Sequence, residues 1–209
     1  MKTIVVFVHG LWVNGREGFV LRRRLARDLG AEERAFSYRS VTASLEDNAA
    51  ALGGFLASLH ADALHVVAHS LGGVVTLKVF DNPPALPPGR IVLLGSPING
   101  SRAAQNVARV PFGAKILGLS MRQAGLPTNP RRWSGARDLG IIAGARPIGM
   151  GRLVAAFDGP SDGTVSVAET HLPGATDELV LPVNHTGLVF SGLVARQTAA
   201  FLREGRFAR

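Results

Sequence analysis

Cysteine is absent from the 209-residue sequence. No disulfide framework, thiolate metal site or cysteine nucleophile is therefore available, and the fold must rest on packing alone. Long apolar runs are missing too; none approaches the roughly 18 residues needed to cross a bilayer. The opening "MKTIVVFVHG" has a lysine followed by an apolar stretch, Ile4 to Val8, that is too short for a signal-peptide core and precedes no small-residue cleavage site. It reads as the first core strand. The expectation is a cytoplasmic chain as written, or a secreted one if a leader has been removed. Lysine is scarce: Lys2, Lys78 and Lys115 are the only three among 23 basic residues, so the formal net charge of +8 is almost all arginine. The clusters Arg22–Arg24 and Arg131–Arg132 are short and lack interleaved aromatics, which reads as solvated surface and not as a nucleic-acid site. Peripheral contact with anionic lipid, or attraction of acyl substrates, stays open as the use of that charge.

Hydrophobic residues at 46% against 18% charged indicate a folded chain with a sizeable core. Short apolar runs alternate with amphipathic stretches. "TIVVFV" (Thr3 to Val8), "RAFSYRS" (Arg34 to Ser40), "ALHVVAH" (Ala63 to His69), "RIVLLGS" (Arg90 to Ser96), "LGIIAGA" (Leu139 to Ala145) and "ELVLPV" (Glu178 to Val183) read as strands. Between them lie helices, one opened by Ser44 with Asp47 three residues on, one from Leu71 to Phe80, and a last one from about Gly187 to Arg203. The alternation predicts an α/β fold, a mostly parallel sheet of about six strands with helices on both faces. No repeat or linker interrupts it, so residues 1–209 are expected to form one domain. Residues 98–137 are longer than a normal connection and are the candidate for a small cap or lid. The turn-rich stretch from Pro147 to Asp177 is the second long loop, and such loops usually serve function.

Ser70 lies in "AHSLGG", between a predicted strand and a predicted helix. That context suits a nucleophile elbow with Ala68 in place of the first glycine: a sharp turn strains the serine backbone, and small residues two positions away let neighbouring chains pass. A serine hydroxyl needs a base, itself held by an acid. Six histidines compete. His9 follows the first strand, His65 is inside a strand, His69 adjoins the serine and His60 ends a helix. His185, in "LPVNHTGLV", sits at the carboxyl end of the final strand, where active sites of parallel sheets gather, and is preferred over its rival His171. For the acid, Asp162 in "SDGTVS" is preferred to Asp158 in "FDGP", both on the loop after the penultimate strand. Two donors must meet the oxyanion. Leu71 N–H follows the nucleophile, and the loop after His9 and Gly10 offers Leu11 N–H.

With "VHG", "AHSLGG", "DGTV" and "NHTGL" in this order, the sequence resembles the α/β-hydrolase family over nearly its whole length. The alanine in the elbow and the short chain resemble small bacterial lipases and esterases without a large lid. "AHSLGG" followed by "LLGSPINGS" also resembles related lipid deacylases. The resemblance implies Ser70 as nucleophile, Asp162 as acid, His185 as base, Leu11 and Leu71 as oxyanion donors, and no metal or organic cofactor. It implies a serine carboxylic-ester hydrolase acting on a small acyl ester or lipid. An acyl thioesterase or acyltransferase would use the same residues on another leaving group. A non-catalytic scaffold would gain nothing from a strained elbow.

Overall fold

Ile4, Val6 and Val8 face one side of the first strand and Val5 and Phe7 the other, yet all five are buried. A strand apolar at every position must be covered on both faces, as in an all-parallel sheet flanked by helices. The computed structural model, which describes residues 1–125, 131–149, 157 and 159–209, has that architecture. Strands β1 (Thr3–Val8), β2 (Glu32–Phe36), β3 (Ala63–His69), β4 (Ile91–Leu94), β5 (Leu139–Gly144) and β6 (Asp177–Leu181) pair in the order β2-β1-β3-β4-β5-β6. Every pairing is parallel.

The helices are α1 (Phe19–Leu29), α2 (Leu45–Ala57), α3 (Leu71–Val79), α4 (Arg102–Arg109), α5 (Gly113–Gly125), α6 (Val167–Thr170), α7 (Gly187–Phe190) and α8 (Gly192–Glu204). On one face α2 and α3 bury Leu52, Leu56, Val75 and Leu77 against Ile4, Val66 and Leu93. On the other, Leu21 and Leu25 of α1 and Val194 and Phe201 of α8 cover Val5, Phe7, Val67 and Val92. Each such side chain contributes about 1.5–3 kcal/mol by leaving water. Ser44 opens α2 as expected, its hydroxyl accepting from Asp47 N–H at 3.0 Å.

Two elements differ from the sequence reading. The second strand covers Glu32–Phe36 instead of 34–40, because Tyr38 is drawn off the sheet: its N–H donates to His9 Nε2 (3.1 Å) and its hydroxyl to the His9 carbonyl (2.9 Å). The last helix is interrupted at Ser191, whose extended backbone (φ −67°, ψ 130°) ends α7, and whose hydroxyl accepts from Leu193 N–H to start α8. Edge strand β2 is kept charged by the ion pairs of Glu32 with Lys2 and Arg34, which discourages pairing with another sheet. Among the described residues, no helix is long and apolar enough to cross a membrane.

Strand order also places the site. After β1 the chain turns outward to β2, then returns to add β3 on the opposite side of β1. The loops following β1 and β3 therefore diverge, leaving a crevice at the carboxyl ends of these two strands.

Candidate active site

Ser70 occupies the single residue between β3 and α3, with φ 53° and ψ −125°. A non-glycine residue there costs about 1–3 kcal/mol and is kept only where its surroundings enforce it. Several contacts do so. Ser70 N–H donates to Leu94 O at 2.9 Å, and its carbonyl accepts from Gly73 N–H at 3.0 Å. A Cβ on Gly72 would lie 2.3 Å from His9 O, and one on Gly73 would lie 2.0 Å from Ser96 Oγ. The glycines of "SLGG" are thus required by how closely α3 descends onto β1 and β4. Leu71 is the first residue of α3, where an N–H has no acceptor within the helix.

Across the crevice, the loop after β1 is held by His9. The buried His9 ring stacks on Tyr38 with centroids 4.2 Å apart, and its Nδ1–H donates to Gly10 O at 2.7 Å. In a trans peptide the carbonyl and the next N–H point in opposite directions, so anchoring Gly10 O on His9 aims Leu11 N–H away from that ring. Gly10 is pressed close to the serine: a Cβ there would be 3.1 Å from Ser70 Cβ. Burial lowers the His9 pKa, favouring the neutral ring that donates at Nδ1 and accepts at Nε2.

Asp162, on the loop after β5, and His185, on the loop after β6, meet each other. His185 Nδ1 lies 2.7 Å from Asp162 Oδ2, and His185 N–H donates to Asp162 O at 2.9 Å. A carboxylate only accepts, so this contact puts the ring proton on Nδ1 and leaves Nε2 with its lone pair. Asp162 is 1% exposed. Its second oxygen accepts from Thr164 N–H (2.9 Å) and Val165 N–H (2.7 Å), so three donors hold the carboxylate in a fixed orientation. Two glycines make room for the pair. A Cβ on Gly95 would lie 2.9 Å from Asp162 Oδ2, and one on Gly144 would lie 2.7 Å from Asp162 Cβ.

Ser70, His185, Gly10 and Leu11 line one cavity of about 650 Å³. Its walls are otherwise largely apolar, with Ala104 and Val107 from α4, Leu117 and Met121 from α5, and Val189 from α7. The 98–137 region thus supplies one wall through α4 and α5. His171 is elsewhere: exposed, its Nδ1 is 2.9 Å from Glu178 Oε2 on the β6 edge. Asp158 lies outside the described residues. Among the described residues, no three His, Asp or Glu side chains converge as metal ligands.

One contributor escaped the sequence reading. His69 Nε2–H donates to His185 O at 3.2 Å, and the two rings lie 4.7 Å apart. Burial, reinforced by the His185 ring, depresses the His69 pKa to about 3, so this ring is neutral. Its position beside Ser70 was the only sequence signal, because its partner is 116 residues away.

A strained serine at a strand–helix turn shares one cavity with a histidine bound to a buried aspartate, on a six-stranded parallel sheet. The alpha/beta hydrolase family model matches residues 5–202, and the chain belongs to that family. No curated protein matches the sequence significantly. Among solved structures, a pyrethroid hydrolase superposes with a TM-score of 0.63 at 14% identity, covering 98% of both chains. A type II thioesterase from the borrelidin biosynthetic cluster gives 0.61 at 13% identity, over 100% of this chain and 94% of that one. A metagenomic carboxyl esterase gives 0.63 at 18% identity over 88% of this chain, which spans only 64% of that esterase's length. At these identities the likeness is one of fold.

Proposed function

We propose that the protein is a serine carboxylic-ester hydrolase that cleaves small acyl esters through Ser70, His185 and Asp162. The observation carrying this reading is the placement of a backbone-strained Ser70 and the Asp162-bound His185 ring on one apolar cavity. In the proposed cycle Ser70 Oγ attacks the acyl carbon while His185 Nε2 takes its proton, and the carbonyl π electrons move onto oxygen. Leu11 and Leu71 N–H groups meet that oxyanion. As the intermediate collapses, the acyl–oxygen bond to the alcohol breaks and His185 returns the proton to the departing oxygen. Water then attacks the acyl enzyme, giving its proton to His185, and Ser70 leaves with that proton restored. Asp162 orients the ring and stabilises its charged form. The scheme needs no metal or organic cofactor.

The whole chain acts in this reading as one domain, with α4 and α5 as a small cap, and a cavity of this size suits short to medium acyl chains. Ser70→Ala is expected to lower turnover of p-nitrophenyl acyl esters by roughly 10⁴-fold or more, with the fold unchanged. Wild-type turnover by the folded variant would overturn the assignment. Parallel assays with acyl-coenzyme A substrates separate ester from thioester cleavage, which use the same three side chains.

A further inference from the structure

The turn between α4 and α5 exposes apolar side chains, one of them in a strained backbone conformation. Val110 and Phe112 are exposed, Phe112 at 80%, and Phe112 has φ 63°. The left-handed region is an outlier for a bulky residue, and here it is enforced from below. A Cβ on the next residue, Gly113, would fall 1.7 Å from Val107 O, so the turn cannot relax inward. The base of the hairpin is fixed on both sides. Leu119 N–H donates to Val41 O (2.9 Å), and Trp12 Nε1–H donates to Ile116 O (2.8 Å). The apolar tip is therefore tied to the body of the protein through these hydrogen bonds, which lie on either side of the break in α5 at Gly118 (φ 72°).

This tip is continuous with the mouth of the Ser70 cavity. Ile116, exposed, lies one turn after Phe112 and touches Trp12, which is 52% exposed and itself lines the cavity. Val13, Ile148 and Phe190 line the same cavity and are also exposed. Along the chain on either side of the tip the charge has one sign, the acidic neighbours Glu17 at the cavity and Glu169 at Arg102 coming from other segments. From Asn82 to Arg137 the chain has eight basic residues and no acidic one, and the hairpin carries Arg102, Arg109, Lys115 and Arg122. Monomeric proteins rarely expose so connected an apolar surface without a use for it. Aromatic and aliphatic tips flanked by cations suit the boundary of an anionic bilayer, where the apolar groups enter the acyl region and the cations meet headgroup phosphates.

We propose that the Val110–Phe112 turn, with Arg109 and Lys115 beside it, docks the protein on an anionic phospholipid bilayer and turns the cavity mouth toward the lipid. The placement of the mouth gains its meaning from the hydrolase reading, but docking does not need turnover. Binding is therefore measured on Ser70→Ala as well as on the wild type, so the two readings fail separately.

The test is co-sedimentation with vesicles of equal parts phosphatidylglycerol and phosphatidylcholine, against vesicles of phosphatidylcholine alone. Wild type and Ser70→Ala are expected to partition alike onto the anionic vesicles and weakly onto the neutral ones. Phe112→Asp, which places a residue tolerant of the left-handed region at that position, is expected to lower partitioning about tenfold or more. The pair Arg109→Gln and Lys115→Gln is expected to lower it about fivefold per charge removed. Both variants should keep the wild-type circular-dichroism spectrum and urea midpoint, which shows that they are folded whatever the activity. Absence of wild-type binding to anionic vesicles overturns the proposal. Binding untouched by Phe112→Asp also overturns it, since only general basicity would then be acting. A wild type that is dimeric in analytical ultracentrifugation, bound to no vesicle and made monomeric by Phe112→Asp, would reassign the patch to a second copy of this chain.

Discussion

Acidification should destabilise this protein through two buried histidines of β3. His65 Nδ1 accepts Arg90 N–H at 3.0 Å, and burial together with the Arg90 and Arg137 guanidinium groups lowers its pKa to about 4. His69 is lowered to about 3, mainly by burial. Unfolded histidine titrates near 6.5. Below that pH the unfolded chain takes up a proton at each site while the folded chain does not, so the unfolded state binds more protons and stability falls as pH falls. Each site contributes about 1.4 kcal/mol per pH unit, from about 6.5 down to its folded value. At pH 5 the two together remove about 4 kcal/mol, a large share of the 5–15 kcal/mol that holds a typical domain. His9, also lowered by burial, acts in the same direction. Urea unfolding followed by circular dichroism at pH 5, 6, 7 and 8 measures the effect. His65→Asn keeps an acceptor near Arg90 N–H but cannot titrate, so it should reduce the slope below pH 6.5 by about 1.4 kcal/mol per unit. A stability flat between pH 5 and 6.5, or a slope unchanged in His65→Asn, would refute the reasoning.

Asp162→Asn is expected to lower ester turnover by roughly 10⁴-fold, since an amide can no longer hold the His185 tautomer; Asp158→Asn should leave turnover within about twofold, and the reverse pattern in kcat would move the acid to Asp158. Gly72→Ala forces a methyl group to within 2.3 Å of the His9 carbonyl, a contact with backbone that cannot swing aside. The expected loss is about 1–3 kcal/mol, read as a lower urea midpoint, and a wild-type midpoint would show that α3 does not press on β1 as closely as described.

Much of the fold is legible because its signals are local. Central strands such as "TIVVFV" and "ALHVVAH" are apolar at successive positions, and a six-strand parallel sheet follows from their alternation with helices. "AHSLGG" likewise announces a tight strand-to-helix turn, since small residues at fixed offsets from Ser70 are needed within six positions of chain. What depends on distant partners was not legible. Tyr38 leaves the sheet for His9, 29 residues away, so the end of β2 was misplaced. Gly95 and Gly144 look like ordinary strand-end glycines, and their role is to admit Asp162 and His185, which lie in other loops. His69 seemed excluded by adjoining the serine, although its ring lines the same cavity as Ser70 and reaches the carbonyl of His185, 116 residues away. The connected apolar rim also required the structure, because Trp12, Ile116, Ile148 and Phe190 come from four separate segments.

Reaction with a fluorophosphonate probe, followed by mass spectrometry of the digested protein, tests the nucleophile most directly. One equivalent of phosphonate is expected on the peptide containing Ser70, with none in Ser70→Ala and much slower labelling in His185→Ala. A folded wild-type protein that resists the probe, or an adduct on another serine, would contradict the assignment of Ser70.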